Sequence, residues 1–372
     1  MQILDIFYVQ FLTKDGSRLA VGGVETYILN LAKLADEMGM GARVFQFSSE
    51  YFEKKYENAN VFGIKRGRFS NFDTLYKYAS STRSKDNVYL NIIANDTLIP
   101  NWKVPSSIVI QHGIGFDDNN HPSVPFIISF LYRSFKSYKL LKKIQKVDEV
   151  VCVDNNFICW YRTQTPRRNV KLIPILNFSD LPSENNIERD NSVIKIVFAR
   201  RFVEIRGTRL FGPVAKLLLE KFPYVKLTFA GDGPEEQYLR KLFENEDRVE
   251  FTHYESSESI NFHQQFDIAV VPTIYSEGTS LSLLEAMSAG CAVVCTNVGG
   301  MTNIILDGFN GIMVRPEQNE LYEALSTLIN DDDLRKRLTT NAKSTITESF
   351  SLVRWKQQWR NTLYKKFNES MS

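Results

Sequence analysis

The sequence predicts an α/β protein made of two doubly wound domains, each built around a parallel sheet. At 372 residues, the chain is longer than one hydrophobic core usually serves. Short, continuous apolar runs alternate along it with helical patterns, which is typical of strands buried on both faces of a parallel sheet. A polar stretch at 177–192 interrupts this alternation, which then restarts. We therefore expect an N-terminal domain over 1–178, a linker over 179–192 and a C-terminal domain over 193–350.

The apolar runs of each half are the predicted strands of one sheet. In the first half they are ILDIFYV, ARVFQF, VYLNII, SIVIQH and EVVCVD. In the second half they are VIKIVFA, VKLTFAG, RVEFTH, DIAVVP and CAVVCT. The segment 351–372 then carries Trp355, Trp359 and Leu363 at helical spacing, which predicts an amphipathic helix.

The composition is that of an ordinary globular protein and limits the classes of partner that the chain could bind. Hydrophobic residues make up 43% and charged residues 24%, and a formal net charge of +2 offers no general attraction to nucleic acid. No apolar run approaches the roughly 20 residues that a membrane span needs. The start, MQILDIFYVQFL, lacks the positive n-region of a signal peptide and is predicted to be a buried strand. We expect a cytoplasmic protein without a nucleic-acid partner or a transmembrane helix.

The stretch EGTSLSLLEAMSAG predicts a site for a nucleotide-linked sugar. Its two carboxylates, Glu277 and Glu285, are separated by seven residues and can accept hydrogen bonds from hydroxyls at opposite ends of one ligand. A helix is predicted to begin near Ser280, so the backbone amides around Thr279, Ser280 and Leu281 would face an approaching diphosphate.

Glycines mark two further places where backbone and ligand can approach closely. Gly22 and Gly23 follow the first predicted strand and open the helix VETYILNLAKLA, so no side chain keeps a diphosphate away. The alternative for this pair is a tight turn without a ligand. Gly231, in GDGP after the strand VKLTFA, would likewise let a nucleotide approach, whereas Asp232 is expected to be a helix cap.

Three side chains at predicted strand ends complete the candidate site. Arg201 and Arg206 follow the strand VIKIVFA, and two cations there suit a diphosphate, although both could instead be solvated or ion-paired. Arg200 is expected to be structural. His112 follows the strand SIVI and would lie at the carboxyl edge of the first sheet, as a ligand contact or as a structural histidine.

Taken together, these motifs resemble the family 4 glycosyltransferases, which have the GT-B fold. The resemblance is carried by GGVETYILNLA, VFARRFVEIRG, FAGDGP, the Glu-seven-Glu stretch, CAVVCTNVGG and DGFNG, which occur in order over nearly the whole chain. It implies two Rossmann-like domains facing a central cleft, with the nucleotide sugar bound mainly by the second. It also implies that the helix 351–372 crosses back to the first domain; the alternative is a helix packed only on its own domain.

The resemblance assigns roles to the candidate residues. It implies that Glu285 holds the ribose hydroxyls, that Glu277 and His112 contact the donor sugar, and that Arg201 and Arg206 clamp the diphosphate. A cation pair there would stabilise the charge that grows on the departing nucleoside diphosphate. The family usually has Lys where this chain has Arg206, which keeps the charge but changes the reach of the side chain.

Similar enzymes retain the anomeric configuration and are thought to use the departing phosphate to take the acceptor's proton. No Ser-His-Asp set, GxSxG or His-Glu-x-x-His motif is present in the sequence. Asp331 to Asp333 resemble metal-binding carboxylates but are predicted to start a helix. We expect no metal and no cofactor, the donor being a UDP-, GDP- or other nucleoside diphosphate sugar.

Residues 133–146 contain six basic and no acidic residues. They would bind an anionic membrane surface or form a solvated basic face on a core-packed helix. Similar enzymes often act on lipid-linked acceptors at the inner face of the membrane, in bacterial surface polysaccharide pathways such as O-antigen and capsule. Two alternatives remain open at this stage: a sugar-nucleotide epimerase with the same fold, and a non-catalytic subunit of glycan assembly.

Overall fold

The computed structural model describes residues 1–20, 22–67, 71–114, 124–165, 170–182, 192–275 and 277–371. The chain divides into two compact units. Met1–His112, Asn119–Ile175 and Trp355–Ser372 form the first, and Gly113–Asp118 and Leu176–Arg354 form the second. The change between units at 175/176 precedes the linker expected at 179–192, of which 183–191 lie outside the described residues.

In the described part of the first unit, one sheet has eight strands. They are β1 (Gln2–Phe7), β2 (Gly41–Ser48), β3 (Phe52–Tyr56), β4 (Ala59–Lys65), β5 (Val88–Ile93), β6 (Ser107–Gln111), β7 (Glu149–Cys152) and β8 (Lys171–Pro174). Their order is β3-β4-β2-β1-β5-β6-β7-β8, and all neighbours are parallel except β3 and β4. The helices are α1 (Gly23–Glu37), α2 (Asp73–Ser81), α3 (Phe126–Ile144) and α4 (Asn155–Gln164).

The second unit has a parallel sheet of six strands among its described residues. They are β9 (Ile194–Ala199), β10 (Val225–Ala230), β11 (Val249–Thr252), β12 (Ile268–Val271), β13 (Ala292–Thr296) and β14 (Ile312–Val314), in the order β11-β10-β9-β12-β13-β14. The helices are α5 (Thr208–Lys221), α6 (Glu236–Leu242), α7 (Ser259–His263), α8 (Leu281–Ala289), α9 (Gln318–Asn330) and α10 (Asp332–Thr345), and the chain continues into α11 (Leu352–Met371).

The predicted fold class, two α/β domains with parallel sheets, is confirmed, and every predicted strand is present. The second sheet explains why its strands appear as continuous apolar runs. Successive strand residues point to opposite faces, so Phe198 packs into one hydrophobic cluster with α5 and α9, whereas Val197 packs into another with α8. Because helices cover both faces, neither face of the strand can be polar.

The C-terminal helix α11 belongs to the first unit from Trp355 onward. Trp359 is fully buried and donates its indole N–H to the hydroxyl of Tyr27, with 2.7 Å between nitrogen and oxygen. Trp355 packs edge-on against the same ring at 5.0 Å between centroids. Burial of a large apolar side chain is worth roughly 1.5–3 kcal/mol, so these two tryptophans make α11 an integral part of the first core.

Within the residues that the structure describes, no helix combines the length and the apolar character that crossing a membrane requires. Asp331 caps α10, because its carboxylate accepts a hydrogen bond from the backbone N–H of Leu334 at 2.8 Å. The predicted helix start at this carboxylate run is therefore confirmed.

Candidate functional site

The candidate site lies at the carboxyl edge of the second sheet, at its topological switch point. From β9 the chain builds β10 and β11 on one side, and β12, β13 and β14 on the other. Arg200 directly follows β9, and Thr273 follows β12, the neighbouring strand across the switch. Open α/β sheets bind ligands at this position, because the two crossover directions leave a crevice there.

Glu277 is held at this point by two arginines and a threonine. Nη2 of Arg200 lies 2.8 Å from each carboxylate oxygen, and Nη1 of Arg206 lies 2.7 Å from Oε2. The hydroxyl of Thr273 donates to Oε2 at 2.9 Å. Two guanidinium groups thus share one carboxylate, which leaves an excess positive charge beside the start of α8.

These contacts set the charge states of the group. Burial alone would raise the pKa of Glu277, but the positive charges of Arg200 and Arg206 and the hydrogen bonds outweigh it and hold that pKa at about 2. Burial lowers the pKa of Arg206, an effect that Glu277 opposes and Arg200 reinforces. The side chain of Arg206 is 31% exposed and that of Arg200 only 5%, so Arg206 is the cation that a ligand can reach.

Glycines hold the backbone that carries Glu277. Gly299 has φ of 54°, and a Cβ placed there would lie 2.2 Å from the carbonyl oxygen of Glu277. A Cβ on Gly300 would lie 2.5 Å from the amide nitrogen of Thr279, and the amide of Gly300 donates to the Glu277 carbonyl at 2.6 Å. Only glycine allows this approach, so the NVGG motif fixes the position of the carboxylate.

Helix α8 begins at Leu281 with Ser280 as its N-cap, so the predicted helix start is confirmed. No side chain caps it, and the Ser280 hydroxyl instead lies 3.2 Å from that of Ser282. Thr279 is buried, and its hydroxyl accepts the amide of Asn177 at 3.0 Å. The role of Thr279, Ser280 and Leu281 in binding a diphosphate remains a prediction.

Glu285 lies one helical turn into α8 in a partly apolar environment. Its Oε2 accepts a hydrogen bond from the Ser259 hydroxyl at 2.6 Å, and Oε1 has no hydrogen-bond partner among the described residues. Burial raises the pKa of this carboxyl group, and the Ser259 hydrogen bond opposes the shift only in part. Tyr254, whose ring stacks on Phe262 at 4.5 Å, experiences the charge of Glu285. Glu285 is therefore a hydrogen-bond acceptor with spare capacity.

The two adjacent arginines lie in different environments, and that of Arg200 agrees with its predicted structural role. Arg200, predicted to be structural, is the buried residue that grips Glu277, whereas the side chain of Arg201 is exposed. Within the described ranges, Arg201 has no ion pair with a carboxylate. The next residue, Phe202, is buried in the core of the second unit. Contact of Arg201 with a diphosphate remains a prediction.

Gly231 has a packing role that its predicted role did not include. It has φ of +147°, and a Cβ there would lie 2.2 Å from the carbonyl oxygen of Arg200. The glycine therefore keeps the end of β10 against the residue that grips Glu277. Close approach of a nucleotide to Gly231 remains a prediction.

The predicted residues of the first unit are Gly22, Gly23 and His112. Helix α1 begins at Gly23, but the space over Gly22 is filled by Glu25, whose Oε2 would lie 2.3 Å from a Cβ. Glu25 is buried, accepts the Tyr8 hydroxyl at 3.3 Å and has a pKa raised by burial. This corrects the expectation of open space at the turn and agrees with the tight-turn alternative.

His112 directly follows β6 as predicted. Its Nε2 donates to the carbonyl oxygen of Ala94 at 2.9 Å, and the ring meets the Tyr27 ring edge-on. Burial lowers the pKa of His112 to about 4, so the ring is neutral near pH 7. With the proton on Nε2, Nδ1 is an acceptor, which suits both a structural histidine and one that receives a hydroxyl.

Several contributors were not predicted. Arg200 is the principal partner of Glu277. Thr273, Gly299 and Gly300 also support Glu277, and Ser259 supports Glu285. NVGG was recognised as a family motif, and its paired glycines were the available signal. Among the described residues, no group of three or more His, Cys, Asp or Glu side chains could hold a metal ion.

Comparisons with known proteins agree with this geometry. The family model described as glycosyl transferases group 1 matches residues 182–345. An uncharacterized glycosyltransferase of Methanocaldococcus jannaschii is 26% identical over 350 residues, covering 88% of this chain and 84% of the relative. The Escherichia coli UDP-Gal:alpha-D-GlcNAc-diphosphoundecaprenol alpha-1,3-galactosyltransferase is 21% identical over 263 residues, covering 68% and 67%.

Among solved structures, sucrose-phosphate synthase from Thermosynechococcus elongatus has a TM-score of 0.78 at 15% identity, covering 100% of both chains. Two α/β units with parallel sheets are the architecture of the GT-B fold, which this chain therefore has. Residues 182–345 thus match the glycosyl transferases group 1, which is the retaining family 4, and the chain is a glycosyltransferase.

Proposed function

We propose that this protein transfers a sugar from a nucleoside diphosphate sugar to a hydroxyl group of a glycan or lipid-linked acceptor, without a metal. The observation that carries the proposal is the excess positive charge on Arg200, Arg206 and Glu277 beside the start of α8. A diphosphate carries the complementary charge, and helix N-termini favour anions.

In this mechanism, Arg206 stabilises the departing diphosphate. Its side chain is the more exposed of the two, so it can turn toward a phosphate while Arg200 keeps Glu277 in place. Negative charge on the bridging phosphate oxygen grows as the bond to the sugar breaks, so a fixed cation lowers the barrier more than it strengthens ground-state binding.

The two carboxylates orient the ends of the donor. Glu277 stays ionised at every physiological pH because its pKa is held at about 2, and it accepts hydrogen bonds from sugar hydroxyls. Glu285 accepts from the ribose hydroxyls through the oxygen that Ser259 does not occupy. His112, neutral and with Nδ1 as an acceptor, is proposed as a further sugar contact.

The transfer step needs no protein nucleophile. The bond between the anomeric carbon and the phosphate oxygen breaks, and the acceptor oxygen bonds to the same face of that carbon. The acceptor's proton passes to the phosphate oxygen that has just been released. Arg201 and the backbone of Thr279, Ser280 and Leu281 are proposed contacts of the same diphosphate.

The acceptor class rests on the similarity to the E. coli relative, whose name gives a UDP-linked donor and a diphosphoundecaprenol-linked acceptor. We propose a UDP- or GDP-sugar as donor and a role in bacterial surface polysaccharide assembly. A protein working on such an acceptor would act at the cytoplasmic face of the membrane.

The first test is thermal unfolding with UDP, GDP, ADP, dTDP and their sugar conjugates in the presence of EDTA. One nucleotide should raise the midpoint in the wild type and not in Glu285→Ala. The stabilising conjugate is then incubated with a glycan acceptor, and the products are followed by NMR. An α-linked product from an α-linked donor supports the proposal. An epimerised free donor would favour the epimerase, and no shift with any nucleotide would favour a non-catalytic subunit.

A further inference from the structure

Helix α3 turns its large apolar side chains toward solvent. Phe126 is 82% exposed, Leu131 59% and Phe135 58%. The other exposed members of this apolar surface are Ile127, Ile128, Phe130, Tyr132 and Tyr138. Contiguous exposed apolar side chains of this size mark an interaction surface.

The side of α3 that faces its own unit is polar over most of its length. Ser129, Arg133 and Ser137, spaced by four residues, are the partly buried positions of its first three turns. Ile144, at the far end, is the helix's buried residue. A helix that packs on a core normally has the opposite arrangement, with its apolar stripe inward. Leu140 and Leu141 are also partly buried, so packing on the unit is confined to the C-terminal turns, and the alternative of a core-packed helix does not describe the first three turns of α3.

Lysines are interleaved with the exposed aromatic rings in a regular pattern. Each of three rings is followed four residues later by a lysine whose ammonium group lies over it. The pairs and nitrogen-to-centroid distances are Tyr132–Lys136 at 5.0 Å, Phe135–Lys139 at 5.3 Å and Tyr138–Lys142 at 4.6 Å. No acidic residue occurs between 124 and 147 to neutralise this charge.

Two further lysines anchor the helix and do not belong to the exposed surface. Nζ of Lys143 donates to the carbonyl oxygen of Thr97 at 2.8 Å, and Lys146 donates to the carbonyl of Asn101. These contacts fix the C-terminal end of α3 to its unit. The cations that can reach a partner are therefore Lys136, Lys139 and Lys142.

We propose that α3 docks the protein on an anionic lipid bilayer, lying in the headgroup region with its aromatic and aliphatic side chains in the acyl boundary and its lysines on lipid phosphates. Amphipathic helices with lysines beside aromatic and aliphatic residues bind such interfaces. A second copy of this basic surface would be repelled. Ile127, Ile128 and Leu131 favour acyl chains over nucleic-acid bases, which stack on rings.

This inference stands apart from the proposed catalytic function, because docking is measured without donor or acceptor. The full-length protein is sedimented with vesicles of phosphatidylcholine alone or with 30% phosphatidylglycerol. Binding should require phosphatidylglycerol and weaken with salt. Since each basic residue near an anionic surface contributes about fivefold in binding, Lys136→Gln/Lys139→Gln/Lys142→Gln should lower the partition coefficient about 100-fold.

The matched control is Lys216→Gln/Lys226→Gln/Lys241→Gln, three exposed lysines of the second unit with the same change in net charge. It should bind like the wild type, whereas Phe130→Ser/Leu131→Ser should lose binding with all lysines present. Circular dichroism checks that each variant is folded. No binding to the anionic vesicles, equal losses in both lysine variants, or binding to single-stranded polyuridylate but not to vesicles would overturn the proposal.

Discussion

Arg206 and Glu277 are each other's partners, with 2.7 Å between Nη1 and Oε2, although each is assigned to a different part of the donor. The arginine is the proposed contact of the diphosphate and the carboxylate that of the sugar. Donor binding must therefore exchange or share partners within this pair. Arg200 lowers the energetic cost of this change of partners. Its two contacts of 2.8 Å keep Glu277 in an ion pair when Arg206 turns away.

Arg206→Ala should lower kcat at least tenfold, because a cation that acts in the transition state contributes at least about 1.4 kcal/mol to lowering the barrier. Arg206→Lys, the residue usual in the family, should retain more activity than the alanine variant. Initial rates of nucleotide release with a fixed acceptor measure the effect. The control is Arg209→Ala, which removes an exposed ion pair three residues along the chain. Its rate should equal that of the wild type. Equal rates for Arg206→Ala and the wild type would remove Arg206 from the mechanism.

Glu277 should make the protein less stable in acid. Its folded-state pKa of about 2 lies below the ordinary value of 4.5, so between these values the unfolded chain binds more protons. The stabilisation is complete above about pH 5 and is lost as the pH falls toward 2, with a size on the order of 3 kcal/mol. Urea unfolding from pH 7 to 3 should show a steeper fall for the wild type than for Glu277→Gln. Parallel curves would show that the ion pairs do not hold the carboxylate in its charged form.

Glu285→Gln should stabilise the protein while it weakens donor binding. Burial raises the folded-state pKa of this carboxyl group, so the folded protein holds the proton more tightly than the unfolded chain does. The stabilisation that is present below the ordinary pKa is therefore lost as the pH rises through the folded-state pKa. Removing the charge should raise the melting temperature at pH 7 and weaken nucleotide binding at least tenfold, as calorimetry can measure. Glu250→Gln, at an exposed position of β11, should change neither quantity. A lower melting temperature would mean that the carboxylate stabilises the fold.

Gly299→Ala should disable the site through the backbone. The added methyl group would lie 2.2 Å from the Glu277 carbonyl oxygen, so the segment carrying the carboxylate must move. Gly308→Ala is the matched control, because Gly308 also has positive φ, 71°, but open space around its Cβ. The control should cost roughly 1–2 kcal/mol of unfolding free energy and leave activity intact. Gly299→Ala should cost more and lose at least tenfold in kcat/KM; equal behaviour of the two would contradict the packing argument.

The fold was predictable because buried parallel strands must be apolar on both faces, and most of the predicted strands from β1 to β13 have this property. β11 is the exception, because Glu250 near its centre is exposed. β3 was missed because it is an edge strand: FEKKY has three exposed charged residues at its centre, and its pairing with β4 turns on two residues, Glu57 and Asn58. Nothing in such a short charged run distinguishes a strand from a loop.

The site was predictable only in part. Motif spacing predicts Glu277, Glu285 and Arg206 as site residues, and the structure brings Glu277 and Arg206 into contact. Arg200 and Arg201 are adjacent, and which of them faces inward depends on three-dimensional packing, which spacing along the sequence cannot reveal. The sequence does contain a signal that Glu25 occupies the space over Gly22. A Glu three residues after a helix N-cap commonly folds its side chain back toward the N-cap residue.

Helix α11 makes the first unit depend on residues from both ends of this sequence. The Tyr27 hydroxyl receives the indole N–H of Trp359 only after α11 has been synthesised, whereas all segments of the second unit precede Trp355. During translation the second unit can therefore close its core first, and the first unit waits with an open apolar surface for its last helix. The unit whose synthesis begins first can thus be the last to complete its core.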